Sequence, residues 1–465
     1  MSLATEAHQR HARHYLEVLR QLGNLYRDRS AVSKLFFQLD AEWPQIATAR
    51  RWAARHDSAV ARKCCSDYAR CAATLLSLRQ SASERIDWLE VALAGATDVG
   101  DRVAQAEHLG NLGIAYEDLG QYDESHGYLA EALQIDGELQ DERMEQVHLG
   151  QLGLALIGLA RYAEAITSLK RGLSIAQKLG DRAAEAVHLG NLALALEEMG
   201  DLELAERTHE SALAISREIG DRRGEGRDIG NLGVVYYQTE RYEAAERYFL
   251  DALEISREVG HRYGETMDLS NLSGLYQTLG RYSEAVDCAA QTLLISSEIG
   301  DLSREAAALG NLGLIAQDVG LYDLATHFTG RALESARLTG DRRGEALRLT
   351  AQAKTDRELR LWEKARGTAR EAIAIAHEIG ARSIEADAWL VLASISNASG
   401  YFSAAAEQAA VGLAISRDIG YPQGESSALS EIDNAKTRRT NQTHVRTVLD
   451  GETVQTLQRL ACPAQ

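Results

Sequence analysis

Proline is nearly absent from this sequence of 465 residues, which contains only three, at Pro44, Pro422 and Pro463. Because proline interrupts helices, so few over this length favour a chain that is helical nearly throughout, with short turns. Aromatic residues make up only 6%, whereas hydrophobic residues reach 45%. This composition suits thin layers of alanine and leucine between closely packed helices.

Cysteine is also scarce and lacks the spacing of a metal site. The five cysteines are Cys64, Cys65, Cys71, Cys288 and Cys462. The first three lie on one predicted helix, so they cannot form a closed zinc site without ligands from elsewhere. We therefore expect reduced thiols in a cytoplasmic protein, with no metal and no cofactor.

Patterns typical of membrane proteins and of several enzyme classes are missing. No apolar run approaches the roughly 18 residues that a membrane span requires, and the first residues are polar. The sequence has no G-x-x-x-x-G-K-[ST] phosphate loop, no H-E-x-x-H and no G-x-S-x-G. We therefore expect a soluble protein that is not an enzyme and does not bind membranes.

Negative charge is concentrated in the middle of the chain. The whole sequence carries 50 Lys/Arg and 68 Asp/Glu, a net charge of −18. Residues 1–60 hold nine basic and six acidic residues and residues 436–465 hold five and two, so the middle carries −24. Such a surface repels phosphate backbones, which argues against nucleic-acid binding and favours a neutral to basic partner.

A repeat of 40 residues runs through that middle region without gaps. The segments that begin at His108, His188 and Asp228 align with one another. The frames are 101–140, 141–180, 181–220, 221–260, 261–300, 301–340, 341–380 and 381–420. Positions are counted from 1 within each frame, so residues 111, 151 and 191 all occupy position 11. A fixed period of this length is typical of proteins that stack into solenoids.

Each frame predicts two amphipathic helices. Glycine closes seven of the eight frames, where a left-handed residue is needed after a helix, at Gly180, Gly220, Gly260, Gly300, Gly340, Gly380 and Gly420. Aspartate opens six frames as a predicted N-cap, at Asp101, Asp141, Asp181, Asp221, Asp301 and Asp341. Small residues at position 13 of the first helix are expected to let the two helices approach closely.

The run N-L-G-x-x-Y-x-x-x-G-x-Y-x-x-A, followed seven positions later by Ala, resembles the tetratricopeptide repeat. The 40-residue period and the G-D-R linker are similar to the longer variant in Pins-type adaptors and kinesin light chains. The resemblance covers residues 101–420 and implies an all-α, right-handed superhelical solenoid that binds proteins or peptides in its concave groove. Because the shared residues are packing residues, the resemblance does not identify the partner.

The flanking segments are interpreted separately. Residues 1–60 predict an N-terminal segment of two helices, about 4–27 and 39–56. The run HARHYLEVL followed by LDAEWPQIATARRWA resembles the helical connector of bacterial signal-transduction ATPases of the STAND class. Residues 61–100 fit the frame weakly and predict a degenerate repeat. Residues 421–465 predict a capping helix followed by a polar, loosely ordered tail.

Candidate peptide-binding residues occupy position 11, where the resembled family has an Asn that contacts the peptide backbone. By that resemblance the role falls to Asn111, Gln151, Asn191, Asn231, Asn271 and Asn311. Asn is a mediocre helix former, so its recurrence inside helices needs an explanation. These carboxamides either bind the backbone of an extended peptide or bridge adjacent first helices for stability. The ladder ends at Asn311, since position 11 is Ala351 and then Val391.

Three further columns surround that ladder. Small residues at position 10 indicate the close approach of either a ligand or the adjacent helix, at Gly110, Gly150, Gly190, Gly230, Ser270 and Gly310. Histidines at position 8 are expected to be structural, because a spacing of about 10 Å between neighbouring helices prevents one metal ion from bridging them. The acidic residues Glu117, Asp118, Glu197 and Glu198 predict a partly negative groove, with a solvated helix face as the competing interpretation.

The leading hypothesis is a non-catalytic scaffold or sensor that binds a peptide or protein segment along the concave groove. One alternative is a regulatory arm of a bacterial signalling ATPase system, which rests on residues 1–60. Another is a receptor for a short peptide. Self-association through the degenerate repeat or the cap remains open.

Overall fold

The computed structural model describes residues 3–27, 32–56, 58–76, 82–437 and 451–461, and it contains helices but no strand within these ranges. The chain divides into two compact units, Met1–Leu152 and Gly153–Gln465, and the division falls inside one helix. Each unit is described by itself. None of the described helices has the length and apolar content that crossing a lipid bilayer requires.

The first unit consists of helices that pack largely against their neighbours in sequence. They are α1 (Leu3–Arg27), α2 (Val32–Arg55), α3 (Ala59–Leu76), α4 (Ala82–Val99), α5 (Arg102–Asp118), α6 (Tyr122–Leu139) and the beginning of α7 (Glu142–Gly158). The Tyr68 hydroxyl joins α3 to α1 by donating to the Ala12 carbonyl at 2.7 Å. Trp43 and Trp88 stack with ring centroids 5.6 Å apart and join α2 to α4.

The second unit continues the same alternation of first and second helices. They are α8 (Tyr162–Leu179), α9 (Arg182–Glu198), α10 (Leu202–Glu218), α11 (Arg222–Gln238), α12 (Tyr242–Glu258), α13 (Arg262–Thr278), α14 (Tyr282–Ile299), α15 (Leu302–Asp318), α16 (Tyr322–Thr339), α17 (Arg342–Glu358), α18 (Trp362–Glu378), α19 (Arg382–Ala398), α20 (Phe402–Asp418), α21 (Pro422–Thr437) and α22 (Gly451–Ala461). The all-α solenoid predicted from the repeat is confirmed.

The helix ends follow the predicted turn chemistry, with one exception. The closing glycines are left-handed, as at Gly180 with φ of 68°. Asp101, Asp181, Asp301 and Asp341 each accept a hydrogen bond from a backbone N–H in the first turn, as predicted. Asp141 does the same. Asp221 forms no such bond, so its predicted capping role is wrong.

The two helices of a repeat interlock through positions 13 and 29. A Cβ placed on Gly113 would lie 2.6 Å from Leu129 Cγ, and one placed on Gly233 would lie 2.6 Å from the Phe249 ring. Phe249 is only 2% exposed. Glycine at position 13 therefore provides the space that the large side chain at position 29 occupies.

Two flanking segments differ from the sequence-based prediction. Helix α2 begins at Val32 rather than near residue 39, since no glycine or proline between these residues interrupts it. Residues 451–461, assigned to a loosely ordered tail, form α22 instead. This helix packs against α14 and α16 and buries Leu457 and Ala461 in their hydrophobic cluster.

Candidate functional site

The first helices of the second unit form the inner side of its curvature. Helices α9, α11, α13, α15, α17 and α19 each contact the next first helix directly, besides the second helix that lies between them in sequence. Successive second helices form no comparable contact in the described part of the chain. Since the first helices lie closer together, the face that they share is the concave one, as the family resemblance implied.

The six predicted carboxamides all lie at a partly accessible position of a first helix. Asn191, Asn231, Asn271 and Asn311 are half-buried in the second unit, and Asn111 and Gln151 are half-buried in the first. Within the described residues, no hydrogen bond joins any of these six side chains to another group. The structure therefore lacks the bridges between adjacent helices that the stability interpretation requires.

Position 10 is small because a side chain from the next first helix fills the space beside it. A Cβ on Gly110 would lie 2.6 Å from the Cδ2 atom of His148, and a Cβ on Gly230 would lie 3.3 Å from the Oδ1 atom of Asp268. In both cases the approaching residue occupies position 8 of the following repeat. Of the two interpretations of this column, the structure shows the adjacent helix.

The histidines at position 8 are buried structural groups. The His108 ring shares a 2.8 Å hydrogen bond with Ser66 Oγ, and burial lowers the pKa of His108 to about 4. His148 Nδ1 lies 2.6 Å from Asp136 Oδ2, with both side chains almost completely buried. Burial also lowers the pKa of His188.

Later repeats place aspartate at the same position 8. Asp228 and Asp268 accept hydrogen bonds from Ser216 and Ser256 at 2.6 and 2.7 Å. Burial raises the pKa of Asp268 to about 7, and the charge of Glu265 adds to the shift. Buried polar groups at position 8, from His188 to Asp268, therefore lie between successive repeats in this part of the unit.

The predicted acidic residues do not share one environment. In the first unit, burial raises the pKa of Glu117 to about 7, and Asp118 is exposed and pairs with Arg85. In the second unit, Glu197 is buried and lies 2.8 Å from His209 Nε2 of α10. The prediction of Glu197 as a groove residue is wrong, because its carboxylate faces the second helix of its own repeat.

Glu198 retains an exposed surface near the end of α9. Its Oε2 atom accepts a 3.5 Å hydrogen bond from the Tyr162 hydroxyl. Partial burial raises the pKa of Glu198, and the positive charge of Arg343 opposes that shift. An acidic contribution to the inner face is thus partly offset by a basic side chain of α17.

Sequence reasoning missed a set of exposed apolar residues at position 7, where Arg227 and Asp387 are the charged exceptions in the second unit. Val187, Met267 and Leu347 remain 42%, 41% and 39% exposed in the second unit, and Val147 remains 43% exposed in the first. Residues four apart lie on the same helix face, so each of these side chains is adjacent to position 11. The available signal was an apolar residue on the helix face opposite the packing leucines. The inner face therefore combines carboxamides with exposed apolar groups.

The comparisons with known proteins agree with this architecture. Residues 144–218 and 229–297 match one sequence model described as a tetratricopeptide repeat, and residues 105–135 match a second. The search of curated proteins found no match.

Similar folds occur among solved structures. A Rap protein complexed with competence and sporulation factor has a TM-score of 0.55 at 14% identity, covering 80% of this chain and 99% of that one. Aspartyl phosphate phosphatase F from Bacillus subtilis has a TM-score of 0.49 at 12% identity, covering 82% and 97%. A STAND protein with a tetratricopeptide repeat sensor from Pyrococcus horikoshii has a TM-score of 0.44 at 18% identity, covering 81% and 55%. At such identities the likeness concerns the fold alone.

Proposed function

We propose that this tetratricopeptide repeat chain binds an extended segment of a peptide or protein along the inner faces of its first helices. In this proposal the chain is a scaffold or sensor and catalyses no reaction. The observation that carries the proposal is the set of half-buried carboxamides that have no hydrogen-bond partner within the described residues.

A carboxamide is suited to this task because it both donates and accepts hydrogen bonds, as a peptide backbone does. A typical hydrogen bond contributes about 0.5–1.5 kcal/mol net, so several are needed for useful affinity. Asn191, Asn231, Asn271 and Asn311 provide four such groups in the second unit. Asn111 and Gln151 are proposed to act in the same way in the first unit.

The spacing of the first helices sets the length of the bound segment. Neighbouring helices lie about 10 Å apart and an extended chain advances about 3.3 Å per residue, so about three peptide residues correspond to each repeat. The carboxamides from Asn191 to Asn311 would therefore contact about ten residues. The exposed side chains of Val187 and Met267 favour a segment with some apolar residues.

The charge of the repeat region favours a neutral to basic segment overall, as the net −24 of the middle residues indicates. A precedent for ligand binding by a similar fold is the Rap protein solved with competence and sporulation factor. The alternative role as a sensor arm of a signalling ATPase rests on residues 1–60 alone. An ATPase reading frame beside the gene would favour that alternative.

The experiment is affinity capture with the full chain and with the triple variant Asn191→Ala, Asn231→Ala, Asn271→Ala, followed by mass spectrometry of the captured proteins. We expect the variant to lose the partner while its helicity and melting temperature stay nearly unchanged, since alanine is a better helix former than asparagine. The control is Glu210→Ala, Asp251→Ala, which alters exposed residues of the second helices α10 and α12. Unfolding of the triple variant would support the stability interpretation, and retention of the partner would contradict the proposal.

A further inference from the structure

Repeats 341–380 and 381–420 share a surface cavity beside the turns that join their first and second helices. The cavity has a volume of about 490 Å³, and its lining includes Leu361, Trp362, Arg366 and Tyr401. This volume lies within the range of ligand sites in proteins, which is about 300–1,000 Å³. None of the lining residues occupies position 7 or position 11 of a first helix, so the cavity differs from the site of the proposed function.

An arginine covers the same edge in earlier repeats of this unit. Arg241, at position 21, lies over the Tyr236 ring with its Cζ atom 4.3 Å from the ring centroid, and it pairs with Glu206 at 2.7 Å. Arg281 forms the same arrangement one repeat later. A polar bridge therefore joins neighbouring repeats at this edge.

That bridge is replaced by apolar and aromatic surface in the last two repeats. Position 21 is Leu361 and then Tyr401, and these side chains remain 46% and 59% exposed. Position 16, which provides the tyrosine of the bridge, is Asp356 and then Ser396. Neither residue of the arginine–tyrosine pair is present, so the edge stays open.

The aromatic walls of the cavity are held in place by their neighbours. Trp362 is half-buried and packs against the hydrophobic cluster that includes Ile395. The Arg366 guanidinium lies over the Tyr401 ring, 5.1 Å from its centroid, and donates to Ser399 Oγ at 3.0 Å. Because these side chains are already ordered, a ligand loses less free energy to ordering them when it binds.

Two hydrogen-bond donors at the cavity have no partner within the described residues. They are the Nε1–H group of Trp362, which is not enclosed, and the hydroxyl of Tyr401. Such groups normally form a hydrogen bond when the aromatic side chain that carries them is covered. A ligand that covers both rings must therefore supply acceptors.

We propose that this cavity binds a proline-rich segment of another protein in the polyproline II conformation. Such a segment combines apolar rings with a backbone that has no internal hydrogen bonds, so its carbonyl groups remain able to accept. Proline itself supplies no N–H group, which suits a site whose unpartnered groups are donors. Aromatic-lined grooves bind this conformation in several domain families, because the segment is already extended before it binds.

In this arrangement, proline rings of the segment pack against Trp362, Tyr401 and Leu361. Two backbone carbonyls of the segment accept hydrogen bonds from the indole and the phenol. The site is independent of the carboxamides on the inner face, so it can be occupied whether or not the proposed function holds.

Other repeats indicate which variants should fold. Position 22 is Phe402 in the following repeat, so Trp362→Phe keeps an aromatic ring there and removes the donor. Tyr401→Phe removes only the hydroxyl, whereas Tyr401→Arg introduces the residue that Arg241 provides at position 21. The matched control is Tyr242→Phe, which changes position 22 of a repeat whose edge has its arginine.

The experiment selects ten-residue peptides that contain a fixed Pro-x-x-Pro core, with all other positions random, by binding to the full chain. The dissociation constant of the strongest binder is measured by fluorescence anisotropy with wild-type protein, with the four variants and with the triple asparagine variant. An analogue in which both core prolines are alanine is measured with wild type. Circular dichroism compares the helicity of all proteins.

We expect Trp362→Phe and Tyr401→Phe each to weaken binding about two- to tenfold, as for the loss of one hydrogen bond. Tyr401→Arg should weaken binding at least about tenfold, because it removes an aromatic wall. The alanine analogue should also bind at least about tenfold more weakly than the parent peptide. Tyr242→Phe and the triple asparagine variant should match wild type.

Other results would overturn the inference. Failure to select any peptide, or binding that is unchanged in Tyr401→Arg, contradicts the site, and an alanine analogue that binds as tightly as the parent contradicts the preference for proline. Binding that is lost in the triple asparagine variant but kept in Tyr401→Arg assigns the peptide to the inner face, which supports the proposed function and contradicts this inference. If Tyr401→Arg loses helicity, the two phenylalanine variants decide: affinities equal to that of Tyr242→Phe contradict the site.

Discussion

The repeats 221–260 and 341–380 lie in the same unit and differ in the residues at positions 13 and 29, where the two helices of a repeat pack together. In the first, Gly233 faces Phe249, whereas in the second, Ala353 and Ala369 occupy the same two positions, all of them buried. The second repeat has a methyl group in place of the glycine hydrogen at position 13 and a much smaller side chain at position 29. The comparison shows that the large side chain at position 29 is accommodated by glycine at position 13, whereas the small one leaves room for alanine there.

The inner faces of the two repeats differ without such compensation. Asn231 is half-buried and lacks a hydrogen-bond partner among the described residues, whereas Ala351 has no polar side-chain group at that position. Helices α17 and α19 also contact each other more extensively than any earlier pair of successive first helices in this unit, and Val391 is buried there. The last repeats therefore use for stacking a surface that the earlier repeats leave accessible.

The largest expected effect on stability comes from substituting repeat 221–260, in two steps, with the residues of repeat 341–380 at positions 29 and 13. Phe249→Ala should lower the free energy of unfolding by about 3–5 kcal/mol, because it leaves a cavity against Gly233. Adding Gly233→Ala should restore part of that loss, since the pair then matches Ala353 and Ala369. Urea unfolding followed by circular dichroism measures both changes. A double variant no more stable than Phe249→Ala would show that a methyl group at residue 233 does not fill the space left by the Phe249 ring.

A smaller effect is expected in the pH dependence of stability, which involves Asp268, the residue that packs against Gly230. Asp268 has its pKa raised from 3.8 to about 7 by burial, so the folded state favours the protonated carboxyl. Stability should fall as pH rises from about 4 to about 7, by roughly 1–3 kcal/mol, and Asp268→Asn should remove this part of the slope. Thermal unfolding across that pH range measures the difference.

The matched control for this pH dependence is Asp251→Asn, which replaces an exposed acid on α12. It should leave the slope between pH 4 and 7 as in wild type. The interface after repeat 341–380 has Ala388 in place of the aspartate. An unchanged slope in Asp268→Asn would mean that this carboxyl is not the group that titrates.

The smallest effect is expected where the two repeats agree. Both lack the glycine of position 20, so Glu240 and Arg360 each adopt a left-handed φ of 59°. Glu240→Gly and Arg360→Gly should each stabilise the protein by about 0.4–1 kcal/mol, because glycine adopts this conformation without steric cost. Paired melting curves would detect the gain, and a loss of stability in either variant would contradict the explanation.

Most of the fold could be predicted from the sequence because its causes are local. The closing glycines and five of the six aspartate caps act within a few residues of their own positions. The spacing of leucines specifies which helix face is buried. Helix α22 was missed because Leu457 and Ala461 are separated by polar residues in a short segment, and their partners lie more than a hundred residues away.

The candidate site was less predictable because its features depend on contacts between repeats. Position 110 requires glycine because the His148 ring of the next repeat lies beside it, and the sequence alone does not indicate that contact. Glu197 and Glu198 are adjacent in sequence, yet one bonds to His209 and the other reaches the surface. The identity of a residue does not reveal which neighbour it meets, so the contacts of the position-8 side chains could not be derived from the frames alone.

Helix α22 has a practical consequence for how the protein is shortened. Its side chains share a hydrophobic cluster with α14 and α16, which belong to repeats 261–300 and 301–340. A truncation after residue 420 would keep all eight repeats but would remove α22 and expose the apolar residues of α14 and α16 that it buries. Such a fragment would have an exposed apolar surface on these second helices. A binding measurement with the fragment would not distinguish binding to that surface from binding to the inner face.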